Sequence, residues 1–174
     1  MIIYLQTIED PGDRAKFAEL YERYRAYMLK IADEILKNPF DAEDALHNAF
    51  MSISEHLDKV ADPSSSTARG FVAIIVERKA IDIYRQRSRF VSLETIENEI
   101  GLSIPPPEED DLAQCLSKLP PRYRHVIMLK YHHGYTINEI ADMFGMKVPA
   151  ARKLDQRAKA KLEEVYREEG VYDL

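Results

Sequence analysis

Between Lys147 and Lys161 the chain sets Lys147, Arg152, Lys153, Arg157, Lys159 and Lys161, with Gln156 among them, in a stretch whose commonest other residue is alanine. Cations with an amide at one-turn and two-turn spacing suit phosphate contacts and, through Arg and Gln, hydrogen bonds to base edges in a DNA groove. Taken alone, a basic helix is more often a solvated face. The preceding segment changes the reading. Thr136 can cap a short helix with Ile137, Ile140, Ala141 and Phe144 on one side, and Gly145 can take the left-handed conformation after it. Short helix, glycine turn and longer basic helix make a helix-turn-helix pattern, whose second helix lies in the major groove. A second basic block stands at residues 68–90, where six cations face two acids, so two separate contacts with phosphate are expected.

Other chemistry is poorly supplied. The five histidines are His47, His56, His125, His132 and His133, and the adjacent pair would point to different sides of a helix. Cys115 is the single cysteine and has no partner for a metal cage or an internal disulfide, so it reads as a small apolar residue on a helix. Nothing matches a phosphate-cradling glycine loop, a nucleophile elbow or a paired-carboxylate site. No catalytic residue, metal or cofactor is expected, and the chain is not read as an enzyme.

The elements that must position these residues are helical. No Asn-Gly or Asp-Gly hairpin turn occurs, whereas apolar residues at three-to-four spacing recur throughout. Asp13 is the predicted cap of a long helix carrying Phe17, Leu20, Tyr21, Tyr24, Met28, Ile31 and Ile35 and ending near Asn38-Pro39. Asp41 opens a second, with Ala42, Ala45, Leu46, Ala49, Phe50, Ile53 and Leu57 on one face, an acidic first turn suited to the helix dipole, and an end near Val60. The stretch from Asp62 to Thr67 is rich in turn formers and leads into a third helix over 68–89. Its first half, Phe71 to Val76, is apolar all round and must be packed on several sides; its second half is expected to face its arginines outward. Residues 91–110 contain Gly101, three successive prolines and a run of acids, the composition of an exposed linker. Beyond it the pattern predicts helices over 111–118, 122–132, 137–144 and from about Val148 to Glu169, where Pro149 fits a first helical turn. The fold class is all-α, with two small helical domains, residues 1–90 and 111–174, joined by the acidic linker 91–110.

The 174 residues carry a net charge of −6, which at first argues against a polyanionic partner. The distribution reverses that impression: residues 68–90 are at +4 and 120–162 at +6, while 1–67, 91–119 and 163–174 are at −6, −6 and −4. The longest strictly apolar run is six residues, against about 20 for a membrane-spanning helix, and no basic stretch precedes the apolar start. A cytoplasmic protein without membrane insertion is expected.

The stretch from Leu119 to Met146 resembles the fourth conserved region of bacterial sigma factors, which reads the minus-thirty-five promoter element. Upstream, Leu20-Tyr-Glu-Arg-Tyr-Arg, Asp41-Ala-Glu-Asp-Ala-Leu-His-Asn-Ala-Phe and the run from Phe71 to Arg85 resemble the second conserved region in order and spacing. Two such regions on a short linker are the layout of the extracytoplasmic-function group of the sigma-70 family. The resemblance implies a transcription initiation factor with core RNA polymerase, promoter DNA and an anti-sigma factor as partners. It implies that Asp41, Glu43, Asp44, His47 and Asn48 bind the clamp coiled coil of core polymerase, although capping alone would explain the acids. It implies that the third helix and its preceding loop open and read the minus-ten element. Turned-out bases need a pocket, which the loop from Lys59 to Gly70 could supply, and the separated strand needs cations, which Lys59, Arg69, Arg78, Lys79, Arg85, Arg87 and Arg89 could supply. Asp82 and Arg85 match the family's common acid and base, while Arg78 stands where asparagine is common. Thr136, Lys147, Arg152, Lys153, Gln156, Arg157 and Lys159 would contact the minus-thirty-five element.

The second helix of the motif departs from the family. Leu154 stands for an expected arginine, Asp155 for an expected apolar residue, and Lys147 for the usual serine or threonine cap. An acid in a DNA-facing helix repels phosphate unless it accepts from a cytosine amino group or turns away. Two alternatives therefore stay open: a helix-turn-helix regulator, and a sigma-like interaction protein with weakened promoter recognition.

Overall fold

The computed structural model describes residues 1–88 and 111–170, and every regular element among them is helical. The chain divides into two compact units, Met1–Ile96 and Glu97–Leu174. The predicted linker over 91–110, and Arg89, lie outside the described residues.

The first unit holds α1 (Ile2–Thr7), α2 (Pro11–Leu36), α3 (Pro39–Ser54) and α4 (Ser66–Arg87). α2 starts earlier than predicted. Asp10, not Asp13, is its cap, accepting from the backbone N–H of Asp13 at 2.9 Å, because Pro11 has no N–H to leave unsatisfied in the first turn. The same substitution of roles occurs at α3, where Asn38 caps Phe40 and Asp41 through its side-chain oxygen at 3.0 and 3.1 Å and Pro39 takes the first helical position. Between these helices Lys37 turns the chain at φ 50°. α3 stops at Ser54 rather than near Val60; Leu57 and Val60 are buried in the turn that follows, which accounts for the longer apolar pattern. α1 was outside the predicted elements.

α2, α3 and α4 all pack on one another, and the side chains at their meeting, Phe17, Leu20, Met28, Phe50, Ile53, Phe71 and Ile75, are fully buried. Each such burial stabilises the fold by about 1.5–3 kcal/mol. Tyr4, Phe17, Tyr21 and Phe50 form a ring cluster with centroid separations of 4.7 to 6.4 Å, which seats α1 on the bundle. Phe71 to Val76 of α4 are buried all round, since α2 and α3 both lie against that helix. Burial extends further than the sequence suggests. Arg78, expected to face outward, is 7% exposed and pairs through its Nε with Asp82 one turn on, at 3.3 Å.

The second unit holds α5 (Asp111–Ser117), α6 (Pro121–Ile127), a π-helical segment (Met128–His132), α7 (Ile137–Met143) and α8 (Val148–Glu168). The predicted helix over 122–132 is thus two pieces: after Ile127 the turn widens, and the N–H of His133 reaches the carbonyl of Met128 at 3.0 Å. α8 packs against α5, α6 and α7. Leu129, Ile140, Met143 and His125 are fully buried among them, and Cys115 is buried on α5 as an apolar residue would be. No helix among the described residues is long and apolar enough to cross a membrane.

Candidate nucleic-acid interface

α7 and α8 are fixed at their ends by local chemistry that the sequence announces. Thr136 Oγ1 accepts from the N–H of Glu139 at 3.3 Å, and the Glu139 carboxylate accepts from the N–H of Thr136 at 2.7 Å, a complete capping box. Gly134 at φ 78° and Gly145 at φ 61° turn the chain on either side of α7, conformations that cost glycine little. Lys147 precedes α8 without a side-chain cap, as expected from its place in the sequence, and Pro149 lies in the first turn.

Along α8 the residues separate by face. Ala151, Asp155, Ala158 and Val165 are buried, whereas Arg152, Lys153, Gln156, Arg157 and Lys159 are exposed. Lys147 and Thr136 are exposed as well, so the seven residues assigned to this contact all reach solvent. Such a face can set cations against phosphates and offer Arg and Gln to base edges. Leu154 is half-buried and leaves no cation where an arginine was expected. Asp155 has turned away from the basic face. Its Oδ2 accepts from Lys130 Nζ at 2.5 Å and its Oδ1 from the Tyr131 hydroxyl at 3.3 Å. This hydrogen bond raises the Lys130 ammonium above its ordinary pKa.

In the first unit the five residues of α3 assigned to polymerase fall into two groups. Glu43, Asp44, His47 and Asn48 are exposed on one surface. Glu43 pairs with Arg25 at 3.2 Å, and His47 Nδ1 lies 2.8 Å from the Tyr4 hydroxyl of α1. Asp41 is buried, and its partner is Arg87 at the end of α4. The cations near α4 also divide. Arg69 is exposed and stacks on Tyr27, 4.6 Å from the ring centre, and Lys59 pairs with the adjacent Asp58 at 3.3 Å. Lys79 and Arg85 are half-buried, Arg85 lying 3.9 Å from Asp82, while Arg78 is buried. Sequence reasoning placed Tyr24 among the core positions of α2 and assigned its hydroxyl no role. Its buried hydroxyl donates to the carbonyl of Pro63 at 2.7 Å and approaches that of Ser65 at 3.4 Å, which holds the loop before α4. Asp62 accepts from the N–H of Ser64 at 2.8 Å and Ser65 caps α4, so the loop is fixed from within as well.

Two family models match the chain, sigma-70 region 2 over residues 20–90 and sigma-70 region 4 over residues 109–162. The chain belongs to the sigma-70 family. Among similar proteins, an ECF RNA polymerase sigma factor, SigK, of Mycolicibacterium vanbaalenii is 26% identical over 143 residues, covering 75% of this chain and 71% of that one. The RNA polymerase sigma factor SigV of Bacillus subtilis is 28% identical over 118 residues, covering 67% and 70%. A solved structure of the sigma factor RpoE with the anti-sigma factor NepR, from Bartonella quintana, matches with a TM-score of 0.41 at 17% identity, covering 87% of this chain and 96% of that one. The present sigma factor is of the extracytoplasmic-function (ECF) group, and as such it binds core RNA polymerase and directs it to promoters.

Proposed function

We propose that the three surfaces divide this task. Exposed Glu43, Asp44, His47 and Asn48 of α3 dock on core polymerase. The loop from Lys59 to Gly70, with Arg69, Lys79 and Arg85, captures the opened strand at the minus-ten element and so melts the promoter. α8, with Arg152, Lys153, Gln156, Arg157 and Lys159, reads the minus-thirty-five element. The segmentation into a region 2 domain over 1–90, a linker over 91–110 and a region 4 domain over 111–174 belongs to the same reading, as does a cytoplasmic location. An anti-sigma factor is the third partner that the extracytoplasmic-function likeness brings.

The observation that supports the reading best is the division of α8 behind a fully capped α7: a buried stripe on one side and the exposed Arg152, Lys153, Gln156, Arg157 and Lys159 on the other. The acid that counted against DNA contact lies on the buried stripe. That weakens the case for a sigma-like protein that has lost promoter recognition. Transcription by core polymerase supplied with the full chain tests all three surfaces together. Reversing Glu43 and Asp44 to lysine should abolish assembly with core, Arg85→Ala should leave assembly but reduce permanganate reactivity of the opened strand, and Arg152→Ala with Gln156→Ala should reduce promoter selection. Unimpaired assembly by the charge-reversed chain would remove the docking assignment.

A further inference from the structure

Asp155 sits on a stripe whose other members, Ala151, Ala158 and Val165, are small or apolar. Packing alone would accept an apolar residue there, and an acid taken out of water is strongly disfavoured unless it is paired. The pairing is ample. Lys130 Nζ donates at 2.5 Å, the Tyr131 hydroxyl at 3.3 Å, and Lys159 Nζ stands 4.0 Å away. Both ammonium groups also lie over the Tyr131 ring, 5.0 and 5.1 Å from its centre. One anion, two cations and one ring therefore join the π-helical segment to the middle of α8. The carboxylate is 8% exposed, yet Tyr131 is 54% exposed and the Lys159 side chain 52%, so the cluster opens onto the surface beside the basic face.

Two consequences follow from this geometry. A lysine ammonium is a mobile point charge that attracts any phosphate, and Asp155 holds that of Lys130 in a direct hydrogen bond, with Lys159 at 4.0 Å. The attraction it removes is the kind that does not depend on sequence. The cluster also ties α8 to the π-helical segment at one rotation, which sets where Arg152, Gln156 and Arg157 point. We propose that Asp155 is a positioning and specificity-determining residue: it restrains Lys130 from indiscriminate phosphate contact and holds α8, with Lys159 on its exposed face, in the register that reads bases. This inference rests on the assignment of α8 to DNA.

The test uses the full chain with Asp155→Asn, which keeps the shape, and Asp155→Leu, which completes the apolar stripe. Binding to a random-sequence duplex and to the upstream element of a promoter that the holoenzyme transcribes is followed over a salt series. Both variants should bind the random duplex about threefold or more tightly than the parent, with a log–log salt slope steeper by about 0.9 for the release of Lys130 to a phosphate. Discrimination between the two duplexes should fall about fivefold. Adding Lys130→Met to Asp155→Leu should take back part of the steepening. A merely structural acid would instead weaken binding to both duplexes without a steeper slope, and that result, or an unchanged slope, overturns the inference. A parent chain that does not distinguish the two duplexes would refute the reading of α8, while the slopes on random duplex would still decide the role of Asp155. Absence of any duplex binding by parent and variants refutes both.

Discussion

Arg87, the last residue of α4, forms an ion pair with Asp41 in the first turn of α3. Sequence resemblance gave the two residues to different partners, Asp41 to polymerase and Arg87 to DNA. In the free chain they pair with each other. The carboxylate is buried and lies where the dipole of α3 favours an anion, and the guanidinium closes the C-terminal end of α4 onto that turn. The pair thus connects the helix proposed to dock with the helix proposed to capture the opened strand.

The pair should be asymmetric under mutation. Asp41→Ala removes the dipole partner as well as the ion pair and is expected to cost about 1–2 kcal/mol. Arg87→Ala should cost about 1 kcal/mol or less, because its side chain is 60% exposed and solvent screens it. Urea unfolding of both single variants and the double variant measures the coupling; a double variant equal to the sum of the singles would show that the contact contributes nothing.

Arg78 should behave as a structural residue. With its guanidinium buried beside Asp82, Arg78→Ala is expected to destabilise the first unit by about 2 kcal/mol, since Asp82 loses a paired counter-charge and α4 loses packing. Open-complex formation, corrected for the folded fraction at a temperature where the variant is stable, should change less than for Arg85→Ala. The reverse ranking in a footprinting experiment would return Arg78 to the DNA surface.

Tyr24→Phe isolates the loop clamp. The ring keeps its place in the core, but the carbonyl of Pro63 loses its donor, at an expected cost of about 1 kcal/mol. If the loop from Lys59 to Gly70 captures a base, promoter melting should fall several-fold while assembly with core polymerase is retained. Calorimetry and permanganate reactivity on one preparation separate the two effects, and melting at the parental level would mean that the loop conformation does not matter for capture.

The bundle was legible because its signals are local. The stripe from Phe17 to Ile35, apart from half-buried Tyr21, and that from Ala42 to Ile53 are buried as their spacing demands, and the capping box of α7 can be read from Thr136 and Glu139 alone. What escaped depends on partners distant in sequence. Nothing near Arg78 says that its helix is enclosed past Val76; that follows from how α2 and α3 pack on it. Nothing near Asp155 names Lys130, 25 residues earlier. Tyr24 was read as one more core position, and its hydroxyl gained meaning only when the loop 39 residues on was placed against it. The π-helical segment has no mark in the sequence beyond Gly134, which ends it.

His133 should make the second unit acid-sensitive. Burial, with the neighbouring His132 adding repulsion, lowers its pKa from the ordinary 6.5 to about 4. Between those values the unfolded chain binds a proton that the folded chain refuses, so stability decreases as pH falls from about 6.5 and levels off below about 4. The full span corresponds to about 3 kcal/mol, and none of it is lost above pH 7. His133→Gln has no proton to take up and should flatten this part of the profile, even if it lowers stability at neutral pH. Calorimetric melting of parent and variant across that range decides the matter: parallel acid losses in both would place the acid sensitivity in other groups, with the carboxylates of the remaining ion pairs the first to test.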